Sequence, residues 1–255
     1  MNSAIVVIGI GEMGSVFARG FLRCGHPVYP ITRGEDIATV ASAIPEPELV
    51  LIAVAEGDLH PTLEQIPHAW RDKLLLLQNE LLPRDWQQHQ LENPTVISVW
   101  FEKKKGQDSK VIIPSPVFGP HARLVNDGLG SIGITCNVLS NKDELLYELV
   151  RKNVYILTSN IAGIVTGGNV GALWADHREF ASAVANEIID IQEHLTGKSL
   201  PRTKLIEGMV EAFDGDKAHK CMGRSAPARL ARALALATEG GIDTPQLKEI
   251  AAKQN

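Results

Sequence analysis

The chain has 255 residues, 44% of them hydrophobic and 22% charged, with a formal net charge of -5. These values describe a soluble globular protein with room for one large core or two modest ones, and two are expected. They give no general attraction to nucleic acid or to an anionic membrane, and no apolar stretch approaches the ~20 residues that span a bilayer. Cys24, Cys136 and Cys221 are odd in number, far apart and in no CxxC spacing. That argues against a disulfide framework or a zinc ribbon and fits a reducing compartment, so the cytoplasm is the expected location.

The first element is a β-branched run, Ala4 to Ile8, apolar on both faces as in a strand buried in a parallel sheet. Three glycines follow as Gly9-x-Gly11-x-x-Gly14, and Met13, Val16, Phe17, Phe21 and Leu22 then recur at helical spacing up to a stop at Gly25. Strand, glycine turn, helix and second strand make the setting of a dinucleotide-binding turn. Gly9 would permit the tight turn, Gly11 would let the backbone approach a phosphate, and Gly14 would let helix pack on strand. The helix start, with Glu12 and Met13, offers backbone amides to a pyrophosphate. The second strand, around Val28 to Thr32, ends in Arg33, which suits the 2′-phosphate of NADP. Asp36 stays open as a ribose contact, and Arg33 as a plain surface charge. A methyltransferase would ordinarily want an acidic residue where Arg33 stands.

Short apolar runs continue at Glu48–Val54, Lys73–Gln78 and Thr95–Phe101, separated by polar, partly helical segments. Their C-terminal ends would bring Ala55, Glu56, Asn79, Glu80 and Trp100 to one rim with the glycine loop. "EKKKG" at Glu102 to Gly106 reads as a solvated basic turn. "PSPVFGPHA", Pro114 to Ala122, has too many prolines for a helix and reads as a rigid loop near that rim, with His121 a candidate proton donor. "DGLGSIGITCN", from Asp127, repeats the glycine spacing at Gly128, Gly130 and Gly133 but reads as a turn entering a strand. From about Asn141 long helical periodicities take over, enough for five or six helices. The eight histidines show no metal-ligand spacing.

Taken together, these marks resemble the ketopantoate reductase family, within the wider group of 6-phosphogluconate and hydroxyisobutyrate dehydrogenases. "GIGEMG" is similar to the wider group's glycine loop, and Arg33 stands where ketopantoate reductases place an arginine for NADP. "LLQNE" resembles their "QNG" turn, with Glu80 replacing glycine, and "RKNVYILTSNIAGI" resembles the "K-x3-N-x3-N-P" segment opening their helical domain. "GLGSIGIT" and "GGIDTPQL" are similar to their glycine-rich strand entry and late "G-I-x-x-P". The resemblance implies that Lys152 protonates the forming alkoxide and anchors a 2-oxo acid. It also implies that Asn160 is the second asparagine of that segment and that Asn79 lies near the nicotinamide ribose. Departures fall at Ile156, where the first asparagine is expected, at Ala55 or Glu56, where a lysine is expected, and at Ser225 to Ala228, where a glutamate is expected.

The resulting expectation is α/β: a Rossmann domain over 1–139, with a doubly wound, mostly parallel sheet, then an all-helical substrate and dimerisation domain over 140–255. The cofactor would be NADP, bound through Gly9, Gly11, Glu12, Met13, Gly14, Arg33, Ala55 and Asn79, with no metal. Lys152 and Asn160 would be catalytic toward a small-molecule carbonyl substrate of the 2-oxo acid type, with a homodimer left open and no nucleic acid or membrane partner. A non-catalytic NADP(H)-binding sensor or scaffold is the alternative, and for Lys152 the bland reading is a solvated residue at a helix end.

Overall fold

The computed structural model describes residues 2–253. It divides into two compact units, one through Glu148 and one from Leu149. In the first, strands β1 (Ile5–Ile8), β2 (Val28–Ile31), β3 (Leu49–Ile52), β4 (Leu74–Leu76), β5 (Thr95–Ile97), β8 (Ser115–Phe118) and β9 (Cys136–Val138) form one sheet in the order β2-β1-β3-β4-β5-β8-β9. Strands β6 (Phe101–Glu102) and β7 (Lys110–Val111) pair separately as a hairpin. Every pair of the large sheet is parallel except β5 with β8. β1, β3 and β4 are buried along their whole length, which is why they read as continuous apolar runs rather than as alternation.

Helices α1 (Glu12–Arg23), α2 (Ile37–Ala43), α3 (Leu59–Glu64), α4 (Pro83–Gln87) and α5 (Ala122–Gly130) complete this unit. α1 buries Val16, Phe17, Ala18 and Phe21 against a core shared with Val125 and Leu129 of α5. The two helices approach closely because glycines face each other: a Cβ on Gly20 would lie 2.5 Å from the Gly128 carbonyl oxygen.

The structure corrects three expectations. Gly128 and Gly130 do not form a turn into a strand; they lie in the last turn of α5, and only Gly133 turns the chain toward β9. "PSPVFGPHA" is not a loop but strand β8 followed by the start of α5. Its prolines are tolerated because Ser115 and Val117 carry the ladder; Pro116 contributes only its carbonyl, which accepts from Ser98 N–H. Likewise Thr95 to Phe101 is not one strand, since β5 stops at Ile97 and Phe101 opens the hairpin.

The helical series runs α6 (Lys142–Thr166), α7 (Val170–Asp176), α8 (Arg178–Thr196), α9 (Arg202–Gly215), α10 (Ala226–Glu239) and α11 (Pro245–Ala252), with α6 beginning ahead of the unit boundary. Within the second unit, α8 buries Ala181, Val184, Ala185, Ile188 and Ile189, an i, i+3, i+4, i+7, i+8 stripe. The Glu187 carboxylate, also buried, accepts from the Gln246 and Leu247 amides and so caps α11. The Cys221 segment crosses close to α6, where a Cβ on Gly163 would meet Cys221 Cβ at 2.7 Å.

Candidate active site

The sheet order places β1 between β2 and β3, so the chain reverses its winding direction between β1 and β3. The crevice beyond those two strand ends is where open α/β sheets take ligands. Gly9 follows β1 with φ +91°, and a Cβ there would lie 2.6 Å from the Ala53 carbonyl oxygen beyond β3. A Cβ on Gly14 would lie 2.0 Å from the Gly9 carbonyl oxygen. The protein itself therefore demands glycine at both positions. Gly11 is different, because a Cβ there would meet no protein atom within 4 Å. Ser15 N–H makes the first helical bond, to Gly11 O at 2.9 Å, so the Glu12, Met13 and Gly14 amides stand ahead of it with no intrahelical acceptor. Met13 packs on the core, and Glu12 is exposed and ion-paired with Lys103, Nζ to Oε2 3.3 Å.

Beyond β2 the chain turns at Gly34, φ +97°. The Glu35 carboxylate accepts from Thr32 N–H and Oγ1, and Asp36 caps α2 by accepting from Thr39 N–H and Oγ1. The Thr32 and Thr39 hydroxyls and amides hold both carboxyls below their ordinary range. Both acids are thus committed to local turns, Asp36 included, whereas exposed Arg33 makes no hydrogen bond or ion pair among the described residues.

Ala55 is exposed and caps a single 3-10 turn, Glu56–Asp58, after β3. Gln78 is buried and donates to Ile52 O at 2.7 Å, stitching the β4 end to the β3 end and leaving half-buried Asn79 at the turn. Glu80 adopts φ +62°, the left-handed region that favours glycine, which explains the glycine of the "QNG" pattern and marks Glu80 as strained. His121 lies elsewhere: β8 runs antiparallel to β5, so its end meets the start of the parallel strands, among Glu48, Asp72 and Lys73. Burial there holds His121 below its usual value, and its amide donates to Thr95 Oγ1. It is at the opposite end of the sheet from the glycine loop.

In the second unit Lys152, Ile156 and Asn160 recur four residues apart on α6, so they share one face. Lys152 lies mid-helix and half-buried, not at a solvated end, with Nζ 5.7 Å from the Tyr155 ring centroid. Desolvation first, and the Arg229 guanidinium second, lower its pKa from 10.5 to about 7. Asn160 is buried; its Oδ1 accepts from Arg229 Nη1 at 2.9 Å and its Nδ2 donates to Cys221 O at 3.2 Å. The amide is therefore fixed at both ends by the protein.

Arg229 was not anticipated from sequence. Its signal was an arginine on the apolar stripe of α10, beside Ala226, Leu230 and Ala233, all buried. It stands just past Ser225 to Ala228, where the resemblance implies a glutamate.

No family model and no curated protein sequence matches the chain. Solved structures do. A 2-dehydropantoate 2-reductase from Methylococcus capsulatus superposes with TM-score 0.71 at 13% identity, covering 98% of this chain and 95% of that one. A dimeric ketopantoate reductase from Staphylococcus aureus gives 0.68 at 16%, covering 98% and 96%. D-mandelate dehydrogenase in complex with NADH gives 0.66 at 15%, also covering 98% and 96%. At these identities the likeness is one of fold, and it extends over nearly the whole chain: this protein has the ketopantoate reductase fold, a Rossmann sheet followed by a helical bundle.

Proposed function

We propose that the protein is an NADP(H)-dependent reductase of a small 2-oxo acid. The observation that carries the reading is Lys152, a mid-helix lysine whose ammonium is destabilised to near neutrality. A proton donor works best when its pKa lies near the working pH. The first unit supports a dinucleotide on its own terms, through the open space at Gly11, the free amides at the start of α1, and the uncommitted guanidinium of Arg33. Glu12, Met13 and Gly14 would hold the pyrophosphate side, with Gly9 shaping the turn, Ala55 and Asn79 bordering the strand ends, and Arg33 taking the 2′-phosphate.

A reduced nicotinamide, when bound, would supply the hydride. Lys152 donates a proton to the carbonyl oxygen as it gains charge, becomes a neutral amine and is reprotonated from solvent. Its positive charge beforehand favours an anionic 2-oxo acid. Asn160, whose Nδ2 is held by the Cys221 carbonyl, accepts from Arg229 of α10 and so keeps that guanidinium against the α6 face that carries Lys152. We place the protein in the cytoplasm, as a homodimer, a reading supported by the dimeric state of the S. aureus structural neighbour.

The test is NADPH oxidation against a panel of 2-oxo acids and aldehydes, using wild type and Lys152→Ala. Turnover of at least one compound, lost by ~10²-fold in the variant with NADPH binding intact, is the expected result. Ile156, apolar between Lys152 and Asn160, favours a second reading in which the protein binds NADP(H) without chemistry; binding with no turnover across the panel would select it.

A further inference from the structure

We infer that Lys103 is a cofactor-binding residue, brought by the β6–β7 hairpin to the glycine loop, where it neutralises Glu12 and receives the pyrophosphate of the dinucleotide. This rests on the dinucleotide part of the proposed function.

Read in sequence, Lys103, Lys104 and Lys105 are an undifferentiated basic turn. The fold separates them. Phe101, buried at the start of the hairpin, packs its ring 6.1 Å from that of Phe17 on α1, and Val111 on the return strand packs on the same core. The hairpin is thereby fixed to the helix that begins at the glycine loop. Lys104 pairs with Glu102 of its own hairpin at 3.0 Å and stays largely exposed. Lys103 turns the other way: its side chain is only 20% exposed, and its Nζ donates to the carbonyls of Lys104 and Gln107. The same Nζ lies 3.3 Å from the Glu12 carboxylate.

Holding a lysine stem in this half-buried course costs side-chain entropy, against which stand the two carbonyl bonds and the ion pair with Glu12. The position of Glu12 supplies the functional reason. A carboxylate in the first turn of α1 suits the helix dipole, yet it borders the amides that a doubly charged pyrophosphate needs. Unopposed, it would repel that ligand. Lys103 cancels the repulsion and, being a compact ammonium with three donors, can turn from carboxylate to phosphate without moving its backbone. The recognised group is the pyrophosphate, so NADPH and NADH should report it equally, in contrast to Arg33, which is proposed to take the 2′-phosphate.

The experiment measures dissociation constants of NADPH and NADH by calorimetry for the intact protein, Lys103→Gln, Glu12→Gln and the double variant, at low and high salt. Thermal melts confirm that each variant is folded. We expect Lys103→Gln to weaken both cofactors about tenfold at low salt, and less at high salt. Glu12→Gln should tighten both, and the double variant should fall between the single ones. Lys103→Arg should retain most of the affinity. Equal affinity of wild type and Lys103→Gln overturns this inference while leaving the cofactor assignment standing. A loss confined to NADPH overturns it in favour of a 2′-phosphate contact. Absence of any dinucleotide binding by wild type overturns both this inference and the cofactor assignment.

Discussion

The protonation of Lys152 can be measured before any substrate is known. In protein carrying a carbon-13 label at the lysine ε-carbon, one resonance should titrate near pH 7 and be absent from Lys152→Met. The sign of the linked stability follows from proton counting. Between about 7 and 10.5 the unfolded chain keeps the Lys152 proton and the folded chain has released it. The unfolded state therefore binds more protons, and stability rises with pH across that window. One group contributes a slope of at most about 1.4 kcal/mol per pH unit. Lys152→Met removes the rise, so its advantage over wild type is largest below about pH 7 and vanishes above about 10.5. Arg229→Gln removes the neighbouring cation, so the Lys152 resonance should move to higher pH. For turnover, half of the lysine is protonated at a pH equal to its pKa and only ~1% two pH units above it, so the rate should fall by roughly 50-fold between about pH 7 and 9. A Lys152 resonance titrating near its ordinary value, or one indifferent to Arg229→Gln, refutes the reasoning.

The remaining predictions separate fold from ligand. Arg33 should favour NADPH over NADH by about tenfold to a hundredfold, the equivalent of one charge-assisted contact of ~1.5–3 kcal/mol, and Arg33→Asp should erase or invert the preference in a calorimetric titration. Gly11→Val should fold normally and lose cofactor binding, because its Cβ meets only the space a phosphate would fill, whereas Gly130→Val should leave binding largely intact. Gly14→Ala should instead lower the melting temperature or prevent folding, its Cβ being placed 2.0 Å from the Gly9 carbonyl oxygen. At Glu80, with φ +62°, Glu80→Gly should match or exceed wild type in denaturant stability and Glu80→Val should lose about 1–2 kcal/mol; the reverse order would remove the strain argument.

What the sequence determined by itself is what local periodicity and backbone chemistry encode. The run Ile5–Ile8, the glycines at 9, 11 and 14, and the helical repeat of Val16, Phe17 and Phe21 specify strand, turn and helix because each is decided within a few residues. The second strand was legible for the same reason, although β2 stops at Ile31 and Arg33 follows two residues later, in the turn beyond it. The long helices after Asn141 were legible because their apolar stripes run for several turns. What only the tertiary structure decided depends on contacts between distant segments. β8 reads as a proline-rich loop until β5 and β9 pair with it, and its antiparallel course then carries His121 away from the glycine loop. Gly128 looks like half of a second nucleotide turn until Gly20 is set against it. Lys103 is one of three equal lysines until Phe17 and Phe101 bring the hairpin to Glu12. Lys152 and Arg229 are 77 positions apart in the chain, and the low pKa of the lysine exists only once α6 and α10 bury it beside the guanidinium, since desolvation and repulsion act through space and leave no mark on local sequence.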